Sequence, residues 1–368
     1  MSAAHEQFDY TTRSDVSRRA WWLIGARWDL VLFLGTPLLL LLAAELATHH
    51  GAEMVIVVAG TVGAVAHHFP GFLRAYGDRE LFLRQWPRLV FAPLAFAILC
   101  STFVYGSLDG LSFIVLMWGV WHASAQVYGM GRVYDAKAGH LLPRTALLDK
   151  MMCATWFLLV LLLSPGRLTV ALTELYKCGL PAASSDLIFG LQLGSIVVTS
   201  AVTGAWILHV AESYESQRPQ SITKVVLFAG SIAFWWYANI PIQNVIIGVA
   251  LFELLHDVHY LAFVWTFKHS ERESAKGDTS PVNPLFRKTL GSVLFFIALT
   301  VAYGVFFRGS EALLSGPALK LVAVVVLVST LLHFYTDSFV WNLREKSTRQ
   351  TLDVDDVGLT AFASNGHS

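Results

Sequence analysis

The chain alternates long apolar stretches with short polar ones, and the apolar stretches have the length that a helix needs to cross a bilayer. About 20 residues at a rise of 1.5 Å cover the hydrocarbon core, which is about 30 Å thick. The stretches lie at residues 28–48, 54–76, 88–106, 110–133, 147–164, 187–211, 222–238, 242–266, 287–307 and 318–341. We therefore predict an all-α fold, a polytopic membrane helix bundle of about ten spans.

The distribution of Lys and Arg predicts the orientation of this bundle. An even number of spans puts both termini on one side of the membrane. If that side is the cytoplasm, its segments hold 22 of the 26 Lys and Arg residues, and the opposite side holds 4. Because cytoplasmic loops are enriched in these residues, we predict that both termini are cytoplasmic. Residues 1–27 then form a cytoplasmic N-terminal segment, 28–343 the bundle, and 344–368 a disordered cytoplasmic tail.

The composition supports a membrane protein and excludes several other classes. Hydrophobic residues make up 55% of the chain and charged residues 14%, whereas soluble domains have about 25% charged residues. The net charge is zero, which argues against a nucleic-acid partner, since nucleic-acid binding needs a basic face. The three cysteines, Cys100, Cys153 and Cys178, show no CxxC spacing, so neither a disulfide scaffold nor a zinc ribbon is expected.

The histidines inside the apolar stretches are the main candidates for chemistry. An ionisable group within a span costs roughly 2.5 kcal/mol or more, and such groups usually mark a function. Counting from His68, His122, His209, His259 and His333 to the next cytoplasmic basic residue places these five at one depth, about 9–17 Å from that boundary. The histidines within the apolar stretches occur only in the even-numbered ones and are His67, His68, His122, His209, His256, His259 and His333. Five spans thus offer imidazoles in one slab of the bilayer.

Imidazoles gathered at one depth favour a metal site. Glu253 and His256 are three residues apart and share a helix face, as in the Glu-x-x-His element of di-iron bundles. Neutral imidazole with a nearby carboxylate favours iron, and we expect one or two non-haem Fe²⁺ ions. The candidate ligands are His68, His122, His256, His259 and His333, and the further candidates are His67, His209 and Glu253.

Other polar residues are placed to orient these ligands. Gln126 and Asp337 lie four residues after His122 and His333, one helical turn away, where an acceptor can fix the tautomer of a ligating imidazole. Asp257, next to His256, is a third candidate for this role. The nearby aromatic side chains, such as Trp235, Tyr260 and Phe334, are expected to serve packing.

Some of these assignments have a structural alternative. A single histidine in a membrane helix more often bonds two helices together than binds a metal, and His209 is balanced between the two roles. Adjacent His67 and His68 would point about 100° apart on a helix, so only one of them is expected to face the site. The remaining six histidines are expected at the surface: His5, His49, His50, His140, His269 and His367.

Several of the histidines in the apolar stretches lie within longer sequence motifs. The motifs are AWILH at 205–209, FWWY at 234–237, FELLHDVHYLAFVW at 252–265 and LHFYTDSFVW at 332–341. In these stretches the chain resembles the Brp/Blh family of bacterial membrane proteins, which are β-carotene-cleaving dioxygenases. The resemblance implies a non-haem iron held by His67 or His68, His122, His256 and His259, and a place in the bacterial inner membrane. The spacing HxxH of the last pair departs from the HxxxH of the family.

The sequence therefore predicts a membrane-embedded non-haem iron oxygenase that acts with O₂ on a lipophilic substrate such as a carotenoid, terpenoid or fatty chain. A dioxygenase is favoured because no redox domain is recognisable, and an electron-donating partner would instead favour a monooxygenase. The alternative is a non-enzymatic multi-pass membrane protein, either a metal or proton transporter or a haem-binding protein. A transporter would distribute polar residues along the membrane normal, whereas here they share one depth. A third alternative is a scaffold whose histidines only bond helices together.

Overall fold

The structure is a computed structural model that describes residues 21–50, 53–63, 65–216, 220–274 and 283–354. All regular structure in these ranges is helical, without a β-strand, which confirms the all-α class. The helices are α1 (Ala26–Asp29), α2 (Thr36–His50), α3 (Glu53–Val58), α4 (His68–Gly77), α5 (Arg79–Gly106), α6 (Leu111–Lys137), α7 (Pro143–Leu163), α8 (Pro165–Lys177), α9 (Ser185–Glu215), α10 (Ile222–Asn239), α11 (Val245–Ser274), α12 (Leu290–Leu313), α13 (Gly316–Val340) and α14 (Lys346–Thr351). Two π-helical segments, π1 (Leu30–Leu34) and π2 (Ala59–Gly63), and a 3-10 turn, Asn283–Phe286, complete the list.

Six of these helices, α5, α7, α9, α11, α12 and α13, are long and apolar enough to cross a membrane. A seventh span results if α1 with π1 and α2 count as one, although this pair is bent by 44° around Gly35. By length and composition the chain is thus a multi-pass membrane protein. The count of ten spans and the cytoplasmic termini stay predictions.

The predicted spans that are missing from these six have identifiable causes. Helices α6 and α10 coincide with the fourth and seventh apolar stretches, but polar residues such as His122 and Lys224 lower their apolar character. The stretch 54–76 is divided into α3, π2, a turn at 65–67 and α4. The break lies where a glycine lets the chain approach α11, since a Cβ on Gly63 would be 2.5 Å from Oδ2 of Asp257.

The tail that was predicted to be disordered begins instead with helix α14. Leu352 and Val354, which follow it, are buried and pack against Phe263 and Phe267 of α11. Their apolar side chains explain why this part of the tail folds back onto the bundle. Residues 355–368 and residues 1–20 lie outside the described part of the chain.

Helix α11 lies at the centre of the bundle. Half of its apolar window is buried inside the protein, compared with 11% for the peripheral α5. Leu251 and Leu255 of α11 pack against Phe234 and Trp235 of α10 in the largest apolar cluster. Helix α11 also contacts π2, so the residues on its middle turns face the broken stretch 54–76.

A buried network of charges joins α6, α7 and α10. Nζ of Lys224, which is fully buried, lies 2.7 Å from Oδ2 of Asp135 and 3.1 Å from Oδ2 of Asp149. Arg132 contacts the same two carboxylates at 3.1 and 3.4 Å, and Trp206 donates to Asp149 at 2.8 Å. Two cations and two anions balance, so the network stabilises the junction of the three helices without a net buried charge.

We expect Lys224→Met to destabilise the protein by about 3–5 kcal/mol, because two buried carboxylates would then share one cation. The measurement is the free energy of unfolding in mixed micelles. Lys288→Met is the control, since the Lys288 side chain is 66% exposed and its ion pair is at the surface. An equal loss in both variants would contradict a structural role of the network.

Helix α12 touches π2 at a glycine. A Cβ on Gly304 would lie 1.9 Å from the main-chain oxygen of Thr61 and 2.8 Å from Cβ of Ala66, and neither atom belongs to a flexible side-chain end. Gly304→Ala therefore forces the two elements apart, and we expect a loss of about 1–3 kcal/mol in unfolding free energy.

Gly309→Ala in the same helix is the matched control, because a Cβ there meets nothing within 4 Å. Alanine has the higher helix propensity, so this control should be neutral or more stable. If Gly304→Ala were equally harmless, α12 and π2 would not be in close contact.

Candidate metal centre

Four elements bring five histidines together in the interior. His67 lies in the turn before α4, His68 begins α4, and His122, His256 and His333 come from α6, α11 and α13. All five are buried, with 0–8% of their surface exposed. Their neighbouring ring centroids are 4.5–5.0 Å apart. Histidines separated by up to 266 positions in the chain thus form one cluster, here called the histidine cluster.

The possible ligand atoms of the cluster fall into three overlapping groups. Within each group the atoms lie within 4.8 Å of one another, and the groups are His67 with His68 and His333, His122 with His256 and His333, and His67 with His256 and Asp257. His67, His256 and His333 each belong to two groups. The arrangement therefore offers donors for one ion or for two neighbouring ions.

Several nitrogens of the cluster have no hydrogen-bond partner among the described residues. They are Nε2 of His68, Nε2 of His122, both ring nitrogens of His256, and Nδ1 of His333. Buried polar atoms in proteins are almost always bonded, because an unbonded one costs its full desolvation energy. Five unbonded imidazole nitrogens in one place are what a binding site offers when the lone pairs of these nitrogens are meant for a bound ligand.

The outer nitrogens of His67 and His68 are held by the surrounding protein. Nδ1 of His67 lies 3.2 Å from the main-chain oxygen of Gly63 and 2.8 Å from Oδ1 of Asp257. Nδ1 of His68 lies 3.0 Å from Oγ of Ser329. Such contacts orient the rings and leave the Nε2 atoms facing the cluster, which is the arrangement that supports metal ligands.

Both adjacent histidines face the cluster, although only one was expected to do so. The angle of about 100° applies to neighbours inside a helix. Here the chain is a turn at His67 and becomes helical only at His68, so the two rings lie 4.6 Å apart. The break in the stretch 54–76 makes this possible.

Asp337 of α13 lies beside the cluster. Its Oδ2 lies 3.9 Å from Nε2 of His333 and 3.8 Å from Nε2 of His122. Its Oδ1 accepts hydrogen bonds from Tyr260 at 3.0 Å and from Trp341 at 3.2 Å. Tyr260, which was expected only to pack, therefore holds this carboxylate in place.

Two of the predicted ligands lie away from the cluster. His259 hydrogen-bonds through Nε2 to the main-chain oxygen of Phe33 at 3.0 Å and thereby fixes π1 against α11. Three residues along a helix rotate the side chain by about 60° from His256, enough to reach another neighbour. Nε2 of His209 contacts Oγ1 of Thr145 at 2.8 Å, so this residue bonds α9 to α7.

Gln126 and Glu253 also differ from their predicted places. Nε2 of Gln126 donates to the main-chain oxygen of His256 at 3.0 Å and does not orient the ring of His122. Glu253 belongs to none of the three ligand groups and lines a cavity next to the cluster. The Glu-x-x-His pair therefore does not form a common ligand group among the described residues.

This cavity has a volume of about 420 Å³ and reaches from His68 to Arg167 on α8. Its wall consists mostly of apolar residues of α6, α11, α12 and α13, with π2 closing one side. Its volume lies in the range of small-molecule pockets, about 300–1,000 Å³. An apolar molecule in the cavity would lie against the histidine cluster.

No protein-family model, curated protein or solved structure matches the chain. The resemblance to the Brp/Blh family thus stays a prediction from the motifs, and the functional argument depends on the geometry of the histidine cluster and its cavity.

Proposed function

We propose that the protein is a membrane-embedded non-haem iron oxygenase, of the dioxygenase type, that acts on a lipophilic substrate such as a carotenoid, terpenoid or fatty chain. The bacterial inner membrane is its proposed location. The observation that supports this proposal most strongly is the set of unbonded imidazole nitrogens in the buried histidine cluster, next to an apolar cavity.

The donor set suits iron. His67, His68, His122, His256 and His333 would hold one or two ions, and Asp257 supplies a carboxylate within the third ligand group. Imidazole with carboxylate is the donor combination of non-haem iron oxygenases. When bound, the iron would supply the O₂ chemistry that the side chains themselves lack.

The surrounding residues hold the protons of the cluster in place. The main-chain oxygen of Gly63 accepts from Nδ1 of His67, with Oδ1 of Asp257 2.8 Å away, which places a proton on Nδ1 and turns Nε2 toward Nε2 of His333, 3.1 Å away. Ser329 holds Nδ1 of His68 in the same way. The two imidazoles are thus oriented before any ligand binds.

Tyr260 and Asp337 form the support on the opposite side. The phenol donates to Asp337, whose other oxygen faces His122 and His333. The tyrosine fits here because position 71 is a glycine, since a Cβ there would lie 2.3 Å from the phenol oxygen. This hydrogen bond keeps the carboxylate from turning away from the imidazoles.

The cavity supplies the place for the substrate. Residues such as Val115, Leu116 and Phe334 give it an apolar wall, so an apolar chain that enters it displaces water from the face of His68. Exclusion of water protects reactive species from side reactions. A dioxygenase fits this site because both oxygen atoms go to the substrate and no electron donor has to reach it.

The first expected result concerns metal content. The purified protein, reconstituted with Fe(II) in detergent, should hold one or two iron ions per chain and show no Soret band. With a carotenoid, terpenoid or fatty chain in nanodiscs, the loaded protein should consume O₂ only when the substrate is present. A Soret band would indicate a haem protein instead, and absence of bound iron would leave the histidines as bonds between helices.

The second expected result separates two histidines of the same helix. His256→Ala should weaken Fe(II) binding at least tenfold, because even the loss of a residue that orients a ligand costs about 10–100-fold in affinity. His259→Ala should leave Fe(II) binding within about threefold and reduce stability by about 1–3 kcal/mol, because the oxygen of Phe33 loses its donor.

Titration with Fe(II) and unfolding curves on both variants provide the two measurements. Equal Fe(II) affinity in the wild type and in His256→Ala would overturn the assignment of α11 to the metal centre. A loss of iron in His259→Ala alone would exchange the roles of the two residues.

A further inference from the structure

The cavity is lined by a buried arginine that forms no direct ion pair among the described residues. Arg167 is 3% exposed, and its guanidinium has no hydrogen bond or ion pair among the described residues. The guanidinium carbon lies 5.3 Å from the centroid of the Trp235 ring, and the charge of Glu253 on the same cavity wall acts on it without direct contact. Buried arginines are nearly always paired, so an unpaired one that lines a cavity indicates an anionic ligand.

The turn that carries Arg167 is held rigidly. Oγ of Ser164 accepts the main-chain N–H of Arg167 at 3.4 Å and donates to the oxygen of Asn239 at 2.8 Å. Gly166 packs against Val245 so closely that a Cβ there would lie 2.4 Å from its Cγ2. The first turn of α8 is thus fixed to the connection between α10 and α11, which fixes the main chain of Arg167 beside the cavity.

The other charged residues of the cavity wall do not neutralise Arg167. Arg308 pairs with Glu311 at 2.9 Å, and its side chain is 61% exposed. Glu253 lies on the wall but forms no ion pair with Arg167, although its charge acts on it through the cavity. Burial lowers the pKa of Arg167 to about 10, so the side chain stays cationic at neutral pH.

The charge and shape of this site select the kind of anion. A guanidinium binds a carboxylate with two parallel hydrogen bonds. One unpaired cation matches one negative charge, which favours a carboxylate over a doubly charged phosphate. The rest of the cavity wall is mostly apolar up to His68, so the remainder of the ligand is an apolar chain.

We propose that Arg167 binds the carboxylate of a long-chain carboxylic acid, a fatty acid or polyene acid, whose apolar chain occupies the cavity and passes the histidine cluster. This inference rests on the proposed oxygenase function and narrows its substrate class. Arg167 then acts as the residue that sets which part of the chain lies against His68.

The test measures binding of cis-parinaric acid, a fluorescent polyene fatty acid, and of its methyl ester to the metal-free protein in nanodiscs. The wild type should prefer the acid. Arg167→Gln should weaken acid binding about 10–100-fold, the equivalent of the roughly 1.5–3 kcal/mol of a charged hydrogen bond, and leave ester binding unchanged. Arg308→Gln is the matched control on the same cavity wall and should change acid binding less than about threefold, because its charge is already paired.

Equal affinity of the wild type for acid and ester would overturn the proposal, as would an unchanged affinity in Arg167→Gln or an equal loss in Arg308→Gln. Arg167→Lys, which keeps the charge but not the two-pronged geometry, should retain an intermediate preference for the acid and serves if the glutamine variant does not fold. Because a chelator is present throughout, the result is independent of iron. Acid binding without iron loading would refute the oxygenase alone, and iron loading without acid preference would refute the role of Arg167 alone.

Discussion

The close approach of π2 to two neighbouring helices is the constraint on which the arrangement of the histidine cluster depends. Gly63 lies against Asp257 of α11, and Gly304 of α12 lies against the main chain of Thr61. A continuous helix through residues 54–76 would turn His67 and His68 to different sides. Instead the helix breaks just after these two contacts, at residues 65–67, and both imidazoles enter the interior. Two small residues and one interruption of a helix therefore position the two histidines that take part in four of the seven ring contacts within the cluster.

The same contacts explain why α11 is both the most buried helix and the one with the most polar residues of the site. A helix in the middle of the bundle can direct side chains to all neighbours, and α11 does so with residues on adjacent turns. His256 and Asp257 face the cluster, whereas His259 bonds π1. Tyr260 reaches Asp337 on α13. Polar residues are tolerated on this helix because each of these neighbouring elements offers a hydrogen-bond partner, which lipid does not.

The positions of most helices and a common depth for the histidines could be predicted from the sequence, because both follow from regular spacing along the chain. The apolar stretches coincide with most of the long helices, although α5 begins nine residues before its stretch and α11 ends eight residues after its own. The distance to basic residues predicted a common depth for His68, His122, His209, His259 and His333. Depth contains no information on the direction around a helix axis. For this reason His259 and His209 could not be separated from the residues of the cluster, and Gln126 was assigned to the wrong partner.

Other features depend on contacts between residues that are distant in the sequence. Nothing near Lys224 in the sequence indicates that it meets Asp135 and Asp149, and its basic charge was counted toward the cytoplasmic side. The break at 65–67 follows from the close contacts of Gly63 with α11 and of π2 with Gly304 of α12. These contacts cannot be inferred from the residues of the stretch 54–76 alone. Arg167 was likewise counted among the few basic residues of the opposite side, and its burial next to a cavity appears only when the helices are packed.

The buried polar residues of this protein fall into two groups, according to whether their partners lie within the protein. The network of Lys224 pairs its own charges with one another, and His209 and His259 each bond a neighbouring element through Nε2, although Nδ1 of each has no hydrogen-bond partner among the described residues. The histidine cluster and Arg167 are different. The cluster gathers five unbonded nitrogens in one place, and Arg167 forms no ion pair with a described carboxylate at a cavity that it lines together with His68. Folding selects against such groups unless something else completes them. Under the proposed function, two ligands would complete these groups together, a metal at the imidazoles and an amphipathic molecule that reaches from them to the arginine.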